Sequence, residues 1–221
     1  MGIVFGYVTL VCLCILFTKA LTRKLHLKRA DQILMKMHKP VCVVMLICCC
    51  CHTVLVLPVL KTRSVYLWIT GIATVVVAVF LILFCHMIKE RKRKLRWHRI
   101  LSVVMLGVII CHMIAYVIDF KNYQEKIKAI CIHGAAAGKL ADGKYVGAYD
   151  AGYIYAEVEV TLQHGKIINI EIIEHRNERG KPAERIVDKI IKEQSTDVDA
   201  VSGATNSSNV IKKAVEDALE N

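Results

Sequence analysis

The chain has 221 residues, 55% of them apolar, and a net charge of +11, with a mean hydropathy of +0.45. That is too apolar for an ordinary soluble domain and points to a membrane protein. Residues 1–118 carry a net charge of +14 and residues 119–221 a net charge of −3. The basic balance therefore marks loops beside membrane helices and excludes a nucleic-acid surface.

Four apolar stretches come first, near 3–18, 41–60, 65–88 and 100–118. A bilayer core takes ~20 helical residues, and each stretch is about that long. Lys19 closes the first one early. No Lys or Arg precedes its apolar run, and basic residues rather than a small-residue cleavage site come after it, so it reads as an uncleaved signal anchor. The loop 19–39 holds Lys19, Arg23, Lys24, Lys28, Arg29, Lys36 and Lys39; the loop 89–99 holds Lys89, Arg91, Lys92, Arg93, Lys94, Arg96 and Arg99. Residues 61–64 hold only Lys61 and Arg63. The positive-inside rule then places both long loops in the cytoplasm, with the N-terminus and residues 119–221 outside. A multi-pass protein of the cytoplasmic membrane is expected.

Nine of the ten cysteines lie in the membrane half, which argues against a disulfide scaffold. The run Cys48-Cys49-Cys50-Cys51 reads as small apolar helix filler. Its formal C-x-x-C-H match ending at His52 is a product of the run itself.

The second stretch carries His38 and His52, and the fourth carries His98 and His112. Each pair is 14 positions apart. At ~100° per residue those steps return to within about 40° of one face, and at ~1.5 Å per residue the two levels lie ~21 Å apart. Both helices are expected to run from inside to outside, so His38 can meet His98 at one depth and His52 can meet His112 at another. This spacing resembles the bis-histidine haem b bundles of cytochrome b and of ferric-reductase-like membrane domains, and it implies two b haems. The plainer reading is that His38 and His98 are interfacial residues at basic edges. His52 and His112 lie deeper, where ionisable groups are costly and usually functional. His26 in the first loop is left over, and His86 near the inner end of the third stretch reads as an interfacial residue, with a substitute ligand or a quinone-contacting group as alternatives.

Asp119 to Lys128 is polar enough to continue the fourth helix, and His133 to Gly138 is Gly/Ala-rich and expected to be flexible. Residues 119–141 read as a tether. A folded α+β domain is expected from Asp142-Gly143-Lys144-Tyr145 onward. Tyr155 to Leu162 alternates as a half-buried strand, His164-Gly165 turns the chain, and Lys166 to Glu174 returns as its hairpin partner. Pro182 opens a helix with Ile186, Val187, Ile190 and Ile191 on one face. Ser207 or Ser208 is expected to cap a last helix whose apolar face is Val210, Ile211, Ala214, Val215, Ala218 and Leu219.

Just before that helix stands Asp199-Ala200-Val201-Ser202-Gly203-Ala204-Thr205. It resembles the attachment signature of the FMN-binding domain family, an acidic residue with Ser-Gly-Ala-Thr beginning three positions later. The resemblance covers nearly all of residues 142–221, including the opening Asp-Gly-Lys-Tyr and the polar stretch Glu174-His175-Arg176-Asn177-Glu178. It implies FMN joined to Thr205 by a phosphoester bond, attached by an FMN transferase for which Asp199 is a recognition element. Ser202, Gly203 and Ala204 complete the cofactor-binding loop. Gly203 permits close approach of a phosphate, and the N-terminus of the last helix favours one.

No dinucleotide fingerprint, P-loop, zinc spacing or Ser-His-Asp string is present, so no residue is assigned to catalysis. The fold class expected is an all-α four-helix membrane bundle, residues 1–118, plus a small extracytoplasmic α+β FMN-binding domain, residues 142–221. The function implied is transmembrane electron transfer. A donor on the inner side, or a quinol, feeds two b haems, which pass electrons to covalent FMN and on to an external acceptor. Two alternatives stay open. One is a haem-free anchored flavoprotein subunit of a larger redox complex, similar in role to those of Rnf-type or sodium-pumping quinone reductase complexes. The other is a flavin redox sensor. The expected partners are the FMN transferase, a donor, an acceptor and membrane lipid, with no nucleic acid.

Overall fold

Long apolar runs without helix breakers make continuous helices, because a helix satisfies every backbone group internally. The computed structural model describes residues 2–135, 140–177 and 179–220. Residues 136–138 of the Gly/Ala-rich stretch and Glu178 of the polar stretch lie outside them. By contacts the chain divides at Lys61/Thr62 into two units.

The first unit is a helical hairpin of α1 (Gly2–Lys24) and α2 (Lys28–Val56). The chain reverses at Leu25–Leu27, where His26 takes a left-handed φ of 55°. Arg23 and Asp31 face each other across that reversal at 3.7 Å. Pro40 lies inside α2, which continues through it. Beyond Val56 a 3₁₀ segment, Leu57–Thr62, ends the hairpin.

The second unit opens with another helical hairpin, α3 (Val65–Met87) and α4 (Arg91–Lys128). All four helices are long and apolar enough to cross a membrane. The polar residues 119–128 do continue α4, as their composition predicts. Described residues of segment 119–141, expected to be a tether, lie against the C-terminal domain. Tyr123, Ile127, Ile130, Ala135 and Leu140 lie against that domain's core. The backbone N–H groups of His133 and Gly134 donate to Glu216 Oε1 at 2.7 and 3.1 Å.

The C-terminal domain is a three-stranded antiparallel meander, β1 (Gly143–Asp150), β2 (Tyr155–Gln163) and β3 (Lys166–Arg176), in the order β1-β2-β3. The hairpin β2–β3 turns at His164-Gly165 as expected, with φ of 53° and 70°. β1 has no counterpart among the strands expected from the sequence. Its alternation is broken because Gly147 stands where a core side chain belongs. A Cβ there would run into the backbone of Ala214 and Ala218. Glycine therefore lets α6 (Thr205–Glu220) lie directly on β1.

The expected α6 face is buried: Val210, Ile211, Ala214, Val215 and Ala218 are fully buried in one core with Val158, Val160, Leu162 and Ile167. Each Val, Leu or Ile so buried contributes about 1.5–3 kcal/mol of transfer free energy. Two details correct the sequence reading. Pro182 opens a 3₁₀ turn, Lys181–Arg185, which then passes into α5 (Ile186–Glu193). Neither Ser207 nor Ser208 caps α6. The helix begins at Thr205, and both serines are buried within it.

Candidate functional site

The loop between α5 and α6 is held by side chains from both helices. Lys189 Nζ donates to the Asp199 carbonyl at 3.2 Å, and Lys212 Nζ to the Val198 carbonyl at 3.0 Å. The Val201 N–H donates to Ser208 Oγ at 3.0 Å, which explains why that serine is not a cap. The Ala204 N–H returns to the Val201 carbonyl at 3.0 Å, closing a turn over Ser202-Gly203. Gly203 has φ 77°, a conformation that a side chain would strain.

This turn sets out the predicted residues. Ser202, Gly203 and Thr205 are exposed, as is Asp199, while Ala204 is buried and anchors the turn to the core. Thr205 is the first residue of α6, and the first turn carries no carboxylate to oppose an anion there. An exposed hydroxyl, a turn with open space at its glycine and a sixteen-residue helix starting at that point fit the phosphate end of FMN.

Within α6, Glu216 is fully buried. Its Oε1 accepts from Thr196 Oγ1 at 2.8 Å as well as from the His133 and Gly134 N–H groups, and its Oε2 takes Lys213 Nζ at 3.0 Å. Burial pushes this carboxyl up, but the bonds from Thr196, Lys213 and His133 outweigh it and hold the group below its ordinary value. No local sequence pattern signals this hub, because its partners lie far apart in the chain.

In the sheet, β3 carries two register shifts against β2, and Ala156 pairs with His175. Bulges re-aim the side chains near them. The His175 side chain is only 2% exposed, and its Nδ1 meets Glu184 Oε1 at 3.0 Å. Its Nε2 is buried without a hydrogen-bond partner among the described residues.

The membrane histidines lie on α2 (His38, His52) and α4 (His98, His112). His52 Nδ1 lies 2.8 Å from the Gly2 carbonyl, which can only accept, so the imidazole donates from Nδ1. Thr70 Oγ1 donates to the Tyr66 carbonyl at 2.8 Å, leaving its lone pairs for His112 Nδ1 at 2.9 Å. In their neutral forms both deep histidines thus carry the proton on Nδ1, the tautomer of a ligand held through Nδ1 by a hydrogen bond. Each also packs on a glycine of the neighbouring helix: a Cβ at Gly6 would stand 3.0 Å from His52, and one at Gly71 would stand 3.5 Å from His112. His98 Nδ1 lies 3.6 Å from Cys85 Sγ, whereas at His38 it is Nε2 that meets Cys42 Sγ, at 3.9 Å. Among the described residues no group of three or more His, Cys, Asp or Glu side chains is assembled for a metal ion. A bis-histidine haem asks for two imidazoles.

The model of the FMN-binding domain family matches residues 151–220. No curated protein matches the chain, and no solved structure matches it. The matched stretch begins just after β1 and takes in β2, β3, α5, the loop and α6. Residues 151–220 are therefore an FMN-binding domain, carried by a chain with four helices fit to cross a membrane.

Proposed function

We propose that this chain is a membrane-anchored flavoprotein that conducts electrons across the membrane to FMN held covalently on Thr205. The observation that carries this reading is the position of Thr205. It is exposed at the head of α6, directly after the left-handed Gly203 turn, within a stretch that matches the FMN-binding domain. FMN bound there supplies both one- and two-electron chemistry. Ser202, Gly203 and the first N–H groups of α6 hold its phosphate end, and Asp199 marks the loop for an FMN transferase.

In this reading His38 with His98, and His52 with His112, hold two b haems, which supply one-electron centres at two depths. The Nδ1 bond of His52 to the Gly2 carbonyl supports the assignment, since it places the proton on Nδ1 as in an imidazole that coordinates through Nε2. Tyr123 stands about 16 Å further along α4 than His112, so one rigid helix joins that histidine level to the flavin domain. The basic loops 19–39 and 89–99 support an extracytoplasmic flavin domain. The donor is an inner-side reductant or a quinol, and the acceptor lies outside.

Two measurements on the full chain test this reading. With an FMN transferase co-produced, the wild type gives a fluorescent flavin band in a denaturing gel, and Thr205→Ala gives none. A dithionite-reduced minus oxidised spectrum from haem-replete cells shows b-type bands at about two haems per chain. His52→Ala or His112→Ala removes one of them. A flavin-only spectrum would overturn the haem conduit and leave an anchored flavoprotein reduced by another subunit.

A further inference from the structure

An aromatic cluster joins the C-terminal end of α4 to the loop after β1, beside the head of α6. Tyr123 stacks on Tyr153 with ring centroids 4.6 Å apart and planes within 10°. Phe120 lies 6.3 Å from each of them. The Arg63 guanidinium stands 3.4 Å from the Tyr153 ring centre. Asp119 flanks the same phenol, and its Oδ1 accepts the Ser64 N–H at 3.3 Å. Burial pushes the Tyr153 phenol above its ordinary range, against the opposing pull of Arg63, so it stays a neutral ring.

Two facts tie this cluster to the cofactor. First, Asn206 Nδ2 donates to the Tyr123 hydroxyl at 3.1 Å, so the residue next to Thr205 already touches the cluster. Second, the cluster keeps usable aromatic surface. Tyr153 is buried and backs the stack, Tyr123 is half-buried, and Phe120 is 39% exposed. The α4 extension is also fixed in place, since Lys126 Nζ reaches the Asp150 carbonyl at 3.4 Å and the Tyr149 hydroxyl reaches the Lys126 carbonyl at 3.5 Å.

We propose that Phe120, Tyr123 and Tyr153 form the membrane-side wall on which the ring of a flavin carried by Thr205 stacks, with Arg63 as its fixed positive charge. The proposal rests on covalent attachment at Thr205 and adds a site outside the matched domain, on a membrane helix. The chemistry comes from the residues. Offset aromatic stacking holds a planar ring in a preferred orientation. A guanidinium nearby favours the more electron-rich, reduced state of such a ring. Segment 119–128 then orients the cofactor, and the flavin stands at a set distance from the helix instead of swinging on a free tether.

The test uses the full chain in detergent, co-produced with an FMN transferase, with flavin fluorescence per covalently bound flavin as the readout. Stacked tyrosine quenches flavin emission, so the wild type is expected to be dim. Tyr123→Leu should brighten it several-fold at unchanged flavin content. Tyr123→Trp, which keeps a stacked ring able to donate an electron to the excited flavin, should stay dim. Arg63→Gln should move the flavin midpoint potential to a more negative value, and Arg63→Lys should restore most of it. Unchanged emission in Tyr123→Leu, with a normal gel band, would overturn the wall and leave the cluster as an aromatic belt at the membrane surface only. A wild type with no flavin band would instead overturn the attachment on Thr205, and the wall with it.

Discussion

The membrane helices and the FMN-binding domain satisfy their polar groups in opposite ways. In the helices, hydroxyls turn back on their own chain. Thr9 bonds the Phe5 carbonyl, Thr53 that of Cys49, Thr74 that of Thr70 and Ser102 that of His98, each four residues away and at 2.7–2.9 Å. Large apolar side chains such as Val103 and Ile72 face outward, as lipid allows. In the domain most apolar side chains turn inward, and buried polar groups are bonded across the chain. Glu216 reaches Thr196, His133 and Gly134; Ser208 reaches Val201. Each half is therefore fragile in its own place. Local bonds survive the loss of a neighbour, whereas a non-local hub fails as a unit.

Gly147 is where a substitution should do most damage. Gly147→Ala drives a Cβ into the α6 backbone, so β1 and α6 cannot both keep their places. The full chain should still insert in the membrane, while its C-terminal domain becomes protease-sensitive and takes no flavin. A protected, flavinylated Gly147→Ala protein would show that α6 does not need to lie on β1.

Next comes the buried carboxylate. Glu216→Ala leaves three donors and Lys213 without their acceptor, and should cost the domain about 3–5 kcal/mol in detergent melts. The pH dependence has a definite sign. The folded-state value of Glu216 lies below its ordinary 4.5, so its contribution is whole above that pH and drains away as pH falls through the depressed value. Glu216→Gln should flatten this acid limb. An unchanged limb would move acid sensitivity elsewhere.

The membrane half should respond least. Thr53→Val removes one local bond and replaces a hydroxyl with a methyl group on an exposed, lipid-compatible position. A cost of about 0.6 kcal/mol or less is expected. A loss as large as that at Glu216 would break the contrast between the two halves.

The same contrast separates what is legible in the sequence from what is not. Apolar runs mark four helices, and the alternation Ala156, Val158, Val160, Leu162 marks β2, because both signals are local periodicities. The α6 face is equally plain. β1 is hidden because Gly147 interrupts its pattern. The cap expected at Ser207 or Ser208 does not form, because Ser208 serves Val201, a partner set by the fold of the loop. Of the site, the loop from Asp199 to Thr205 is legible as a contiguous motif. Tyr123, Tyr153 and Arg63 are not, because nothing local links positions so far apart.

Segregation of charge, the apolar helical runs, the β2–β3 hairpin and the Asp199–Thr205 motif can all be read along the chain. Each depends on relations within a few residues. Three-dimensional packing is needed to place segment 119–135 against the FMN-binding domain, to turn His175 inward beside a bulge, and to let Glu216 hold three separate segments together. Those outcomes depend on which distant backbones approach closely enough to exchange hydrogen bonds. Tertiary packing sets that approach, and periodicity along the chain does not encode it.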